Sequence, residues 1–144
     1  NINIALLSIG FVIFTFIAAI KPELMKENLL LAAELSISIP FILSSCLARI
    51  KCLRRESCAK WDRFASLTFV VGYGFLISSI GIMLSLLVMQ LIAMLFFAVN
   101  IALAMTYSLL EISYDEKMAR EIKRDIIFVI ILVLFGVLPA LGIY

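Results

Sequence analysis

Long apolar runs separated by short charged segments dominate the pattern of this chain. Residues 1–20 form the first run, and a polar break at 21–28 precedes a second run at 29–48. A third run extends over 64–110 without a charged side chain, and a fourth occupies 126–144. A membrane helix needs about 20 predominantly apolar residues. The pattern therefore predicts helices of membrane-spanning length.

The third run is too long for one crossing of a bilayer. As a single helix it would extend about 70 Å, whereas the hydrocarbon core is about 30 Å thick. We therefore predict two spans, 64–86 and 90–110, joined by a turn near Leu87–Gln90. No glycine or proline marks this turn, and Gln90 is the only strongly polar side chain in it.

The expected fold is an all-α, polytopic membrane bundle of five transmembrane helices in a single domain. The five spans are 1–20, 29–48, 64–86, 90–110 and 126–144. Ten of the 12 Lys and Arg residues lie in the segments 49–63 and 111–125. By the positive-inside rule these two segments are cytoplasmic, which places the N-terminus inside and the C-terminus outside. We expect a multi-pass protein of a prokaryotic plasma membrane.

Two features concern the beginning of the chain. No basic segment precedes residues 1–20 and no small-residue cleavage site closes them, so we expect a span there and not a signal peptide. Pro22 suits the first position of a helix, because its missing N–H has no partner there in any case. The second long helix is therefore expected to begin at Pro22, before it enters lipid.

Composition supports the membrane interpretation and excludes several classes of protein. Hydrophobic residues make up 65% of the chain and charged residues 15%, with a mean hydropathy of +1.19. Soluble domains are about 45–50% apolar and about 25% charged. A soluble enzyme, a nucleic-acid-binding domain and a disordered region are therefore excluded. The chain has no histidine, so histidine-based catalysis and metal ligation are also excluded, and we expect no cofactor or metal.

Glu34 is the only charged residue inside a predicted span. A charge at the centre of a membrane helix costs about 2.5–3.5 kcal/mol, and less near its end, where Glu34 lies. Ser38 and Ser45 share its helix face, and Asn100 is the polar residue of the fourth span. These residues are candidates for a cation or proton path. Alternatively, Glu34 reaches the headgroups or is protonated and bonds a neighbouring helix, and Asn100 joins two helices.

Other features of the spans are assigned to local structure. Pro40 frees the carbonyl of Ser36, which a ligand would then be able to use. The segment 71–74 reads Val-Gly-Tyr-Gly, part of a potassium-channel filter, but Val70 replaces the threonine and the apolar run leaves no room for a pore helix. Helix packing is the better interpretation of the small residues spaced four apart. They are Gly74, Ser78, Gly81 and Ser85.

The segment 49–63 alternates basic and apolar residues and is interpreted as an interfacial helix, with Trp61 at headgroup depth. Its candidate residues for anionic lipid headgroups or an acidic partner are Arg49, Lys51, Arg54, Arg55, Trp61 and Arg63. Ordinary anchoring of the topology is the alternative. The three cysteines, Cys46, Cys52 and Cys58, lack a CxxC pattern. Successive cysteines fall on opposite helix faces, so free thiols in a reducing compartment are expected.

Two functions remain, and neither is enzymatic, because Glu34 has no second acid near it and no base is identifiable for Cys46. The first is a small transporter or channel for a cation or proton, an oligomer whose path includes Glu34. The second is a membrane subunit or scaffold that binds partner proteins or anionic lipids. The first requires Glu34 for flux, whereas the second depends on the small-residue faces and on Arg54 and Arg55.

Overall fold

The computed structural model of the protein describes residues 2–20, 22–53, 58–112 and 119–143. All secondary structure in these ranges is helical, which confirms the all-α class. The helices are α1 (Ile2–Ile20), α2 (Pro22–Glu27), α3 (Leu29–Leu53), α4 (Ala59–Leu87), α5 (Gln90–Ile112), α6 (Ala119–Ile131) and α7 (Leu138–Ala140), with a π-helical segment (Leu132–Val137) between α6 and α7.

The segment between α1 and α3 contains the short helix α2. A helix does begin at Pro22, but it ends at Glu27 and a new helix begins at Leu29. Asn28 separates the two and caps α3, because its Oδ1 accepts a hydrogen bond of 3.0 Å from the N–H of Leu31. An asparagine in this position satisfies one of the donors that the first turn of a helix leaves without a partner.

The chain divides into two compact units, Asn1–Leu76 and Ile77–Tyr144. In the first unit α1 packs on α3, and α3 lies close to α4 at Gly72. A Cβ atom on Gly72 would lie 2.9 Å from Cγ1 of Ile42 and 3.0 Å from its backbone nitrogen. Glycine therefore permits a backbone approach that no other residue allows.

In the second unit α5 packs on α6, on the π-helical segment and on α7. The turn between α4 and α5 consists of Val88 and Met89, within the predicted range. The π-helical segment directly precedes α7, whose second residue is Pro139. Proline has no N–H, and its ring clashes with the carbonyl four residues before it, which accounts for the widened turn at this point.

The expectation of one interfacial helix over 49–63 is wrong. Instead α3 continues to Leu53 and α4 begins at Ala59, so the segment is divided between two helix ends. Cys52 and Cys58 consequently do not lie on opposite faces of one helix. Their sulfur atoms are in contact and their Cα atoms are 5.0 Å apart, within the range for a disulfide, whereas Cys46 is a free thiol.

Two of the described helices are long and apolar enough to cross a membrane. They are Leu29–Cys52, with 24 residues, and Ala59–Leu87, with 29 residues. A shorter apolar stretch covers Gln90–Thr106. These lengths and compositions fit membrane association, and the core helix of a soluble protein can satisfy the same criterion.

Candidate functional site

Glu34 lies on the buried face of α3. The buried positions of this helix include Leu31, Glu34, Leu35, Ser38 and Ile42, which follow one another at spacings of one, three and four residues. Such spacings place side chains on one helix face. The apolar side chains of this face are buried, and Glu34 is buried with them.

The carboxyl group of Glu34 has no hydrogen-bond partner among the described residues. Its side chain is 1% exposed, and both Oε1 and Oε2 are buried without a donor. An ionised group buried without a partner is very costly, so Glu34 needs either a proton or a cation that the described residues do not provide.

Ser38 is the hydroxyl residue one turn beyond Glu34 on the same face. It is fully buried, and its Oγ donates a hydrogen bond of 3.0 Å to the carbonyl of Leu35. A serine hydroxyl has one donor and two acceptor positions. The hydroxyl hydrogen of Ser38 is therefore used in a bond within its own helix, and its oxygen can still accept a hydrogen bond.

Ser45 continues the polar face toward the end of α3, where it contacts the neighbouring helix. Its Oγ donates a hydrogen bond of 2.8 Å to the carbonyl of Ala65 in α4. Thr68 donates to the same carbonyl at 3.2 Å. This end of the polar face thus joins α3 to α4.

The remaining candidates for the path lie elsewhere. Ser36 and Pro40 are exposed, on the opposite face of α3 from Glu34, so the carbonyl freed by Pro40 is not brought to the carboxyl group. Asn100 belongs to the second unit. Its Nδ2 donates a hydrogen bond of 2.8 Å to the carbonyl of Phe96 in its own helix. This hydrogen bond of Asn100 lies within α5 and does not connect α5 to a neighbouring helix.

Small residues form a tightly packed region in the second unit. Phe97, which is 1% exposed, fills the space that side chains at Gly81 and Gly136 would occupy, because a Cβ atom on either glycine would overlap its ring. Ser78 is also buried there, whereas the buried Gly74 belongs to the first unit. The hydroxyl of Ser78 has no hydrogen-bond partner among the described residues.

Ser85 and Gln90, the first residue of α5, hold the end of the last helix. The hydroxyl of Ser85 and the amide of Gln90 donate hydrogen bonds of 3.3 and 3.1 Å to the carbonyl of Ala140. Carbonyls at the end of a helix lack a partner within it. Sequence reasoning identified Gln90 as polar but not its role in capping this helix end.

The segment 71–74 is part of the continuous helix α4, and so it forms no filter loop. At the basic end of α3, the ammonium group of Lys51 lies 4.6 Å from the ring centroid of Trp61 in α4, a cation–π distance. Arg49 and Arg63 are exposed. Arg54 and Arg55 lie outside the described residues.

Comparison with models of protein families, with curated proteins and with solved structures finds no match to this chain.

Proposed function

We propose that this chain is a multi-pass membrane protein of five spans that passes a proton or another cation across the bilayer, with Glu34 as the site. The observation that carries the proposal is the buried carboxyl group of Glu34 without a partner among the described residues. Ionisable residues inside membrane helices commonly belong to ion or proton pathways because their placement is costly.

The exposed surface supports a membrane location. Core helices of soluble proteins are mostly buried, but only 33% and 50% of the apolar windows in the two long helices are buried. Several large apolar side chains expose 64–80% of their surface, a feature expected of residues in contact with lipid. They are Val12, Leu29, Leu91, Leu95 and Leu103.

A proton is favoured over a metal ion as the transported species. Metal cations such as Ca²⁺ take six to eight oxygen ligands, and the described residues contain no cluster of three or more acidic, cysteine or histidine ligands. On its own helix face, Glu34 has one hydroxyl neighbour within a turn, Ser38. A proton needs only the carboxyl group, which can be charged and neutral in turn.

The path is completed by further copies of the chain. Five helices of this length enclose little volume, and transport requires access to Glu34 from both sides of the membrane. An oligomer supplies the additional helix surfaces, and the exposed apolar faces of α1 and α5 are available for such contacts. This is the same oligomeric arrangement that the sequence suggests.

The alternative function is a membrane subunit or scaffold. The paired helix ends at Lys51 and Trp61 favour it, because they form a basic surface suited to anionic lipids or an acidic partner. The packing residues Gly74, Ser78 and Gly81 are buried within the chain. A partner would therefore contact the exposed apolar faces and the basic end, and not the small residues.

Flux through proteoliposomes tests the proposal. The wild type and Glu34→Gln are compared under an imposed potential, with an internal pH indicator and, separately, with several monovalent cations. Ser36→Ala, an exposed serine of the same helix, is the matched control. We expect proton flux in the wild type and control and none in Glu34→Gln. Flux that survives in folded Glu34→Gln contradicts the proposal, and its absence from folded wild type for every ion favours the subunit.

A further inference from the structure

A groove of about 310 Å³ lies between α5 and α6. Its wall is apolar and is formed by Ala104 and Met105 of α5 and by Ile126, Val129 and Ile130 of α6. The volume is at the lower end of the range for small-molecule sites. The groove lies wholly within the second unit and is separate in sequence from Glu34.

The polar end of the groove is formed by Ser108 and Asp125. The hydroxyl of Ser108 donates a hydrogen bond to Oδ2 of Asp125. The Nε atom of Arg124 lies 3.6 Å from Oδ1 of the same carboxylate, and the two side chains are 27% and 18% exposed. The carboxylate that lines this end of the groove therefore has the guanidinium group of Arg124 beside it.

This arrangement has the depth and direction of a lipid site. The predicted spans end at Leu110 and begin at Ile126, which puts Asp125 at the boundary between water and hydrocarbon. Because α5 approaches this boundary and α6 leaves it, Ala104 and Ile130 both lie deeper in the membrane. The polar end is then level with headgroups, and the apolar wall is level with acyl chains.

We propose that this groove binds a phospholipid with an ethanolamine headgroup. The ammonium group donates to the carboxylate of Asp125, the phosphate faces the guanidinium of Arg124, and one acyl chain lies against Met105, Ile126 and Ile130. Charge-assisted hydrogen bonds of this kind are stronger than neutral ones. A choline headgroup has no N–H donor, and a glycerol headgroup donates only from neutral hydroxyls, so neither forms an ammonium–carboxylate hydrogen bond with Asp125.

This inference rests on the membrane location proposed above and not on transport by Glu34. Binding is measured on folded protein without any flux assay, so failure of one proposal leaves the other intact. The groove is also distinct from the basic end of α3, where attraction of anionic lipid would favour a different class of headgroup.

Titration with short-chain lipids tests the proposal. Purified protein in detergent is titrated by calorimetry with dihexanoyl phosphatidylethanolamine, phosphatidylcholine and phosphatidylglycerol. We expect the ethanolamine lipid to bind about tenfold more tightly than the other two, as one charge-assisted contact provides. Equal affinity for the three lipids, or preference for phosphatidylglycerol, overturns the proposal.

Three variants locate the binding. Asp125→Asn is expected to remove the preference for ethanolamine, and Ala104→Leu to weaken binding of all three lipids by filling the groove. Asp62→Asn, an exposed carboxylate in the first turn of α4, is the matched control and is expected to bind as the wild type does. A preference that persists in Asp125→Asn overturns the proposal. If Asp125→Asn does not fold, unchanged binding in Ala104→Leu overturns it instead.

Discussion

The hydroxyl of Ser45 donates a hydrogen bond of 2.8 Å to the backbone carbonyl of Ala65. Ser45 shares the buried face of α3 with Glu34, yet its polar group holds α3 to α4. The carboxyl group of Glu34 has no such partner among the described residues. The polar residues of this face therefore differ in their contacts, and we expect them to differ in the effects of substitution.

Substitution of Ser45 should affect stability and leave transport intact. Ser45→Ala removes the bond to Ala65, and interhelical hydrogen bonds in membrane proteins contribute about 0.6 kcal/mol on average. We predict a loss of about 0.5–1.5 kcal/mol in the free energy of unfolding in detergent micelles, with unchanged flux per folded molecule. The exposed Ser36→Ala should be neutral in both assays. Loss of flux in stable Ser45→Ala would place Ser45 on the path.

Packing around Phe97 predicts a second effect on stability. A Cβ atom on Gly81 would overlap the buried ring of Phe97, which also packs against Gly136 and so cannot move aside. Overpacking of this kind costs about 1–3 kcal/mol, and we predict such a loss for Gly81→Ala in thermal unfolding. In Gly10→Ala the added atom would meet its neighbours at 3.7 Å, an ordinary contact, and no loss is expected.

A double variant shows whether the cost of alanine at position 81 comes from its contact with Phe97. Phe97→Leu vacates part of the ring's space, so Gly81→Ala should cost less in that background than in the wild type. Couplings between residues in contact are typically about 0.5–3 kcal/mol. Additive effects of the two substitutions would mean that Gly81 and Phe97 are not in contact.

Much of the fold follows from the apolar runs. The turn between α4 and α5 was predicted from the thickness of a bilayer, because residues 64–110 are too long for one crossing. Residue types typical of turns did not mark it, since the structure places Val88 and Met89 in the turn. The sequence did not predict the break at Asn28. A single residue that can cap a helix is a weaker signal than the helix-forming residues on both sides of it.

The site was harder to predict than the helices. Helical spacing places Glu34, Ser38 and Ser45 on one face, but spacing cannot tell which face is buried when the whole helix is apolar. The bond from Ser45 to Ala65 and the contact of Lys51 with Trp61 depend on how α3 meets α4. The groove at Ser108 and Asp125 likewise depends on the packing of α5 against α6, which no local pattern records.

The proposed five-span topology predicts which positions are accessible from each side of the membrane. With Cys46, Cys52 and Cys58 replaced by alanine, Lys26→Cys and Lys60→Cys each place a single thiol at an exposed position. An impermeant maleimide should label Lys26→Cys in intact cells, and Lys60→Cys only after permeabilisation, because basic segments stay in the cytoplasm. Labelling of both positions from the same side would contradict five spans with the N-terminus inside.

The central claim is that the carboxyl group of Glu34 takes up and releases the transported proton. A lipophilic carbodiimide reacts with protonated carboxyl groups in apolar surroundings, and the resulting N-acylurea can be located by mass spectrometry. The most direct measurement is proton flux as a function of the fraction of Glu34 modified in proteoliposomes. We predict that Glu34 is modified and that flux falls in proportion. Full modification of Glu34 with unchanged proton flux would contradict this role of the carboxyl group.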